Sequence, residues 1–396
     1  MTARAVLAGP LRDLMSSYDA VAQTALGQPL ATDVDFSSLD SLLHHHIDRA
    51  SVAPEPAAAV ARLATHVLTV VADLFRAPAQ GWSGAIHGGL LMATIDVLAE
   101  ARRRHPDTVV YLCRTGHDHV RDAVDRLGLP LQVIRHTTGG GMNVQHLAAM
   151  LHRRPGAPGL VVASAGSPAS EAHDDVSAIR TITAAAGGAV HVHVDAPLAG
   201  WHRALLDRTA SRRAGIDFAD GADSIVVDGH QFLGTPLHSA VAVLRIVPAP
   251  DSPPRANRAT PIGGCPTGPV GDGGGAAAVQ LWHVINIIGV DGLTVRARRA
   301  RALARYTLRR LEEARWPAWA HPDAVTVLLR PPSPTLRQRW SLPVDGDWAR
   351  IVCMPGRTEA HIDQFLYELA RDRPQPSRPV PPALRSRVAA VPTAQT

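Results

Sequence analysis

The stretch VHVDAPLAGW (192–201), followed a little further on by DFADGADSIVVDGHQFLGTP (217–236), decides how the rest of the chain is read. Each half carries a short β-branched run that closes on an aspartate, Asp195 or Asp228, and then passes into residues that favour turns. Runs of this kind read as short buried strands. Working outward, TVVYL (108–112), LQVIRH (131–136), GLVVAS (159–164), AVHVHVD (189–195), DSIVVD (223–228) and AVAVLRIV (240–247) all read the same way. Helical spacing separates several of them, as at His117–Leu127 and Val144–Leu151. This alternation predicts an α/β domain on a mostly parallel central sheet.

The flanks differ from this middle. Residues 1–55 read as an N-terminal arm with two short helices, and the spacing from Ala57 to Phe75 is helical. The Gly/Pro-rich stretch 261–275 reads as a loop, and a long helical stretch follows from Ala276. VTVLLR (325–330), ARIVCM (349–354) and a helical stretch over Glu359–Ala370 predict a small α+β C-terminal domain. The expected organisation is an arm (1–55), a large α/β domain (56–305), the small domain (306–371) and a Pro-rich tail (372–396). The tail is poor in large apolar residues, so disorder is expected there.

Composition removes some chemistry. All 40 basic side chains among the 396 residues are arginine, and no lysine occurs. A chain of average composition would carry roughly 20 lysines. Without them no side-chain amine can form a Schiff base or attack as a nucleophile. Codon bias toward arginine explains a lysine-poor surface well, and a missing catalytic lysine badly. The three cysteines have no CxxC spacing and suit a reducing compartment. No apolar run approaches the ~18 residues of a membrane span, and the N-terminus lacks a long apolar core. The expected location is therefore cytoplasmic. The net charge of +5 comes from arginines interleaved with acidic residues, which gives little support to nucleic-acid binding. The densest basic run, Arg296 to Arg310, reads as a solvated helix face, with Ala297, Ala300, Ala304, Leu308 and Leu311 along the apolar side.

The segment that opened this reading resembles the pyridoxal-phosphate (PLP) dependent group II amino acid decarboxylases, most of all bacterial histidine decarboxylases. The family's H-x-D-A-A, whose Asp pairs with the pyridine nitrogen, is similar to His193–Pro197. Its stacking histidine, in T-H-Y-S-V, falls on His117 within Gly116–Val120. Its N-I-G-T-T-x-x-G-A-x-D-D aligns on SAGSPASEAHDD (164–175), and WSLPVDGDWARIVCMP (340–355) resembles a C-terminal family motif. The resemblance runs from about residue 40 to 370. It implies the PLP-transferase fold type I and a homodimer.

The departures concern the cofactor. The family's Schiff-base lysine, in S-G-H-K, falls on Gln231, and the serine of that motif on Asp228, whose charge repels a phosphate. The phosphate cup keeps Gly88 and Gly89, but Leu90, Leu91, Met92 and Ala93 follow them. An arginine loop of the family falls near Gly271–Gly275, where Asp272 stands. Together these changes imply loss of PLP as a covalent cofactor. The resulting expectation is no cofactor, with non-covalent PLP as the alternative.

His117, Asp195, His230 and Gln231 are the candidate catalytic residues. Ser167, Asp228, Gly88, Gly89 and His45 are candidate substrate contacts. His44, His45 and His46 suit a substrate entrance or a surface role. His191, His193 and Asp195 share a strand face, but the family pattern already accounts for His193, so no metal is expected. Cys353 reads as packing, and a Cys113–His117 thiol pair stays conceivable. Three functions stand open. The first is an enzyme repurposed for PLP-independent acid/base chemistry on a small amino-acid-derived or planar substrate. The second is a non-catalytic pseudoenzyme paired with itself or with an active paralogue. The third is a decarboxylase-like protein that holds PLP non-covalently.

Overall fold

The computed structural model describes residues 24–43, 54–209, 212–213, 215–246 and 274–372. The chain forms two compact units. One comprises Asp33–Arg298; the other joins the N-terminal segment up to Thr32 to the chain from Arg299 onward.

In the first unit a seven-stranded sheet is built from β1 (Trp82–His87), β2 (Val109–Cys113), β3 (Leu131–Ile134), β4 (Gly159–Ser164), β5 (Val190–Asp195), β6 (Ser224–Asp228) and β7 (Ala240–Arg245). Its order is β1-β7-β6-β5-β4-β2-β3. The ladder from β6 to β3 is parallel, and β7 runs antiparallel to both of its neighbours. The α/β expectation therefore holds. β4 and β6 are buried at every position, as befits strands covered on both faces.

Helices α1 (Pro54–Leu74), α2 (Leu90–Arg104), α3 (Asp118–Arg126), α4 (Val144–His152), α5 (Val176–Ala185) and α6 (Gly200–Leu206) connect or cover the strands. α1 buries Ala64, Val67, Leu68, Val71 and Ala72, an i, i+3, i+4, i+7 stripe. β1 is absent from the sequence expectation. WSGAIH has little strand character, but Gly84 lets it lie close to Leu68 and the Ala242 carbonyl. Asn143 caps α4 by accepting the His146 N–H at 2.9 Å. Asn143→Ala is expected to cost about 1 kcal/mol, read as a lower urea midpoint with an unchanged slope.

Helix α7 (Gly274–Glu313) breaks its helical geometry at Gly289. Its basic run corrects the expectation of a solvated face. Arg298, Arg299, Arg305 and Arg309 are exposed, but Arg296 and Arg301 are buried. Arg296 forms a two-pronged ion pair with Asp33 and lies over the Phe232 ring. By length and composition, α1 and α7 are also long and apolar enough to cross a membrane, contrary to the sequence reading. About a third of the apolar stretch of α1 and half of that of α7 are buried inside the protein.

The second unit holds an antiparallel sheet of β8 (Ala318–Trp319), β9 (Thr326–Leu329), β10 (Val344–Asp345) and β11 (Trp348–Val352), in the order β8-β9-β11-β10, with α8 (Pro334–Arg339) and α9 (Glu359–Leu369). Trp340 and Phe365 meet edge to face in its core at 5.5 Å, and Cys353 packs there. Leu26 joins that core and accepts the Val352 N–H at 2.8 Å.

Candidate active site

Because β2, β4, β5 and β6 are parallel, their C-terminal ends lie along one edge of the sheet. That edge carries Cys113, Ser164, Asp195 and Asp228 as the last strand residues. β2 and β4 are neighbours although β3 lies between them in the chain, so the order reverses there, which is where open α/β sheets place ligands. Asp195 pairs in register with Val226, so Asp228, two residues on, shares its sheet face.

Asp195 is fully buried. His119 Nε2 lies 3.0 Å from its Oδ1 in an aligned hydrogen bond. His117 Nδ1 stands 2.7 Å from Oδ2, but without hydrogen-bond alignment, so Oδ2 is left as a buried acceptor. The two imidazoles are 5.2 Å apart, centre to centre. Burial pushes the Asp195 carboxyl up, but the facing His119 and His117 rings outweigh it and hold it well below the usual carboxylate range. Burial in turn pushes His119 down. The Asp195 carboxylate, helped by Asp228 and Asp122, more than restores it, so His119 keeps its proton to higher pH than an ordinary histidine.

Asp228 accepts the His230 N–H at 2.7 Å, yet burial pushes its carboxyl up to about 6. His230 Nδ1 is 2.7 Å from the Thr235 carbonyl oxygen, so it must donate there, which leaves the lone pair on Nε2. The His230 ring lies 4.7 Å from that of His238. Gln231 places Oε1 in a buried position without a hydrogen-bond partner. Gly88 and Gly89 turn the chain from β1 into α2. Gly89 has φ +144°, which favours glycine, and lies beside His238. No side chain caps α2, so the backbone N–H groups of its first turn remain available to an anion.

The other candidates are committed to their own neighbours. Ser167 Oγ accepts the Ala172 N–H at 3.1 Å and lies 3.3 Å from Ser170 Oγ, which ties it into its own loop. In the same loop Glu171, at φ +58°, pairs with buried His202 at 2.9 Å. His191 and His193 both turn to Ser224 Oγ, at 2.7 and 2.8 Å, and burial pushes them down to about 4 and about 3. Both are neutral. Cys113 lies 3.1 Å from Thr115 Oγ1, and burial pushes its thiol up, so it is no ready nucleophile. His44, His45, His46, Asp48 and Asp272 lie outside the described residues. Among the described residues no cluster of three or more metal-ligating side chains occurs.

Over 369 residues the chain is 30% identical to the histidine decarboxylase of Mesorhizobium japonicum, an alignment spanning 90% of this chain and 95% of that protein. The chain belongs to the PLP-dependent group II amino acid decarboxylases. Solved decarboxylases share its fold. The L-methionine decarboxylase of Streptomyces sp. 590, in complex with 3-methylthiopropylamine, superposes with TM-score 0.75 at 20% identity, covering 94% of this chain and 96% of the other. Oryza sativa TDC, solved with PLP and tryptamine, gives 0.66 at 17% identity, covering 94% and 98%. No protein-family model matches.

Membership in the group II decarboxylases corrects the expectation of no cofactor: the relatives point to PLP. The residues present fit most of that group. Asp195 Oδ2 is a buried acceptor suited to a pyridinium N–H, and Gly89 with the open end of α2 suits a phosphate. The sequence reading discounted that cup because the apolar run Leu90, Leu91, Met92 and Ala93 follows the glycines, but backbone donors do not depend on side chains. Gln231, which falls on the family's lysine position, offers no amine, and the chain has no lysine. Sequence reading also missed His119, which stands at the serine of the family's T-H-Y-S-V. Its signal was a second histidine two residues after the first, in the opening turn of a helix.

Proposed function

We propose that this group II decarboxylase homologue binds PLP without a covalent link to the protein and acts on a small amino acid, with histidine the first candidate from the relatives. The observation that carries this reading is the buried, ionised Asp195, flanked by two imidazoles and holding one oxygen without an aligned donor. PLP, when bound, supplies an electron sink for the bond broken at the amino acid's α-carbon. The chain's own residues divide the remaining work. Asp195 holds the ring end, because its charge is kept at all ordinary pH. His119 anchors Oδ1, and Oδ2, with His117 Nδ1 2.7 Å away, keeps a lone pair for the ligand. The first-turn N–H groups of α2 take the phosphate. Gln231 neither gives nor takes a proton, so proton movement falls to His230, whose Nε2 keeps its lone pair. The protein is taken to work as a homodimer, as the family resemblance implies, and in the cytoplasm, as its cysteine usage suggests.

Titration with PLP is expected to give saturable absorbance between about 330 and 420 nm, the usual range for this cofactor. Borohydride treatment followed by denaturation should leave no pyridoxyl group on any side chain. A loaded protein that releases carbon dioxide from histidine supports an enzyme; one that binds and releases none is a binding homologue. A flat spectrum together with no heat of binding would remove the proposal.

A further inference from the structure

The second unit carries a cavity of its own, of about 420 Å³, a size typical of small-molecule sites. Pro334, Leu342 and Pro343 give it apolar walls, and Gln28, Gln338 and Ser341 add neutral polar groups. Arg337 is the one charged residue in its lining. The walls are held in place by backbone. Ser341 sits at φ +49°, which disfavours a residue with a side chain, and a Cβ at Gly27 would overlap the Ser341 carbonyl oxygen. Beside them the Leu26 N–H donates to the Trp340 carbonyl at 3.2 Å. Strained backbone kept in this way gathers at ligand sites. Around α8 the acidic side chains are already committed. Glu368 pairs with Arg339 at 3.0 Å and accepts the Trp340 Nε1–H at 2.9 Å. Asp372 accepts the Ser333 N–H at 2.6 Å. Arg337 is half-buried, has no carboxylate partner among the described residues, and keeps a buried Nε without an acceptor. A partly desolvated cation without a counter-charge is a cost that a bound anion removes.

We infer that this cavity binds a small organic carboxylate with an apolar body and no amine. The carboxylate gives Arg337 its counter-charge, and the two planar groups match in geometry. The body is taken by Pro334, Leu342 and Pro343, which gain by losing contact with water. The lining holds no acidic residue, so it has nothing to offer an ammonium. That disfavours an amino acid, whose ammonium would go unpaired, and disfavours the amine that decarboxylation leaves. The cavity is therefore not a second copy of a substrate cleft for amino acids. Its occupancy is independent of the pyridoxal reading, since every residue in its lining belongs to the second unit.

The test is calorimetric titration of the full-length protein with 4-methylpentanoate, leucine and inorganic phosphate. Leucine is 4-methylpentanoate with an ammonium added, and phosphate carries charge without an apolar body. The carboxylate is expected to saturate with a Kd of roughly 1 mM or tighter. Arg337→Met, of similar length but uncharged, should weaken it about tenfold, the usual worth of one charge-assisted hydrogen bond. Arg337→Lys keeps the charge and should keep the carboxylate bound. Neither substitution strands a carboxylate of the protein, so both variants should fold with an unchanged urea midpoint. Absence of binding by 4-methylpentanoate would overturn the inference, and so would binding that survives Arg337→Met. Leucine or phosphate binding as tightly as the carboxylate, and equally sensitive to Arg337→Met, would overturn it as well, by showing that the lining does not select against an ammonium or that the apolar walls contribute nothing.

Discussion

Asp195→Asn is expected to weaken PLP binding about 100-fold, or about 3 kcal/mol, while the protein stays folded. The loss follows from the position of the carboxylate. It is fully buried, its ionised form is enforced by His119 and His117, and Oδ2 has no aligned donor of its own. A ring nitrogen that brings a proton to Oδ2 meets a full negative charge in the unaltered protein and a neutral amide in the variant. The fold should survive because the substitution also removes a desolvated charge, and His119 can release its proton in response. That response gives a second reading. His119 holds its proton to higher pH because of Asp195, so in the variant its titration, followed by NMR of the ring protons, should move to lower pH. Unchanged affinity would show that Asp195 does not face the ligand. An unchanged His119 titration would show that the pair does not exist in solution.

The sheet was legible because its strands are buried on both faces, so GLVVAS and DSIVVD announce themselves by composition alone. WSGAIH was not, since its strand identity comes from pairing with β7 and from the space Gly84 leaves. Within the site, Asp195 and His117 were legible as members of a motif. His119 was not, because its importance lies in reaching Asp195 across 76 positions of chain, a contact no local pattern encodes. Ser167 misled for the opposite reason. A serine in the right motif was read as a ligand contact, but its hydroxyl is consumed by the turn it belongs to. The cofactor expectation failed on a related point. Side chains are what a sequence shows; the glycine turn and the uncapped start of α2 are backbone features that a side-chain pattern does not announce.

Asp228→Asn is expected to stabilise the protein at pH 8 by an amount on the order of 3 kcal/mol and to have little effect near pH 4. The folded-state carboxyl is pushed up by burial to about 6, from 3.8 in a free side chain. Between those values the folded protein holds a proton that the unfolded chain has released. Stability therefore falls as pH rises across this window, and the contribution present at low pH is gone above about 6. The neutral amide never ionises, so it escapes this loss, and its carbonyl can still accept the His230 N–H. Urea midpoints measured at pH 8 and pH 4 read the effect directly. A gain of equal size at both pH values would assign it to packing rather than to charge, and no gain at pH 8 would mean that Asp228 is better solvated than its burial implies. Asp195 obeys the opposite sign: its lowered carboxyl contributes stability above the free-side-chain value and surrenders it only in strong acid. The two aspartates on one sheet face thus do different things. Asp195 is paired with His119, whose proton it helps hold, and stabilises the fold. Asp228, pushed up by burial, destabilises the fold at neutral pH.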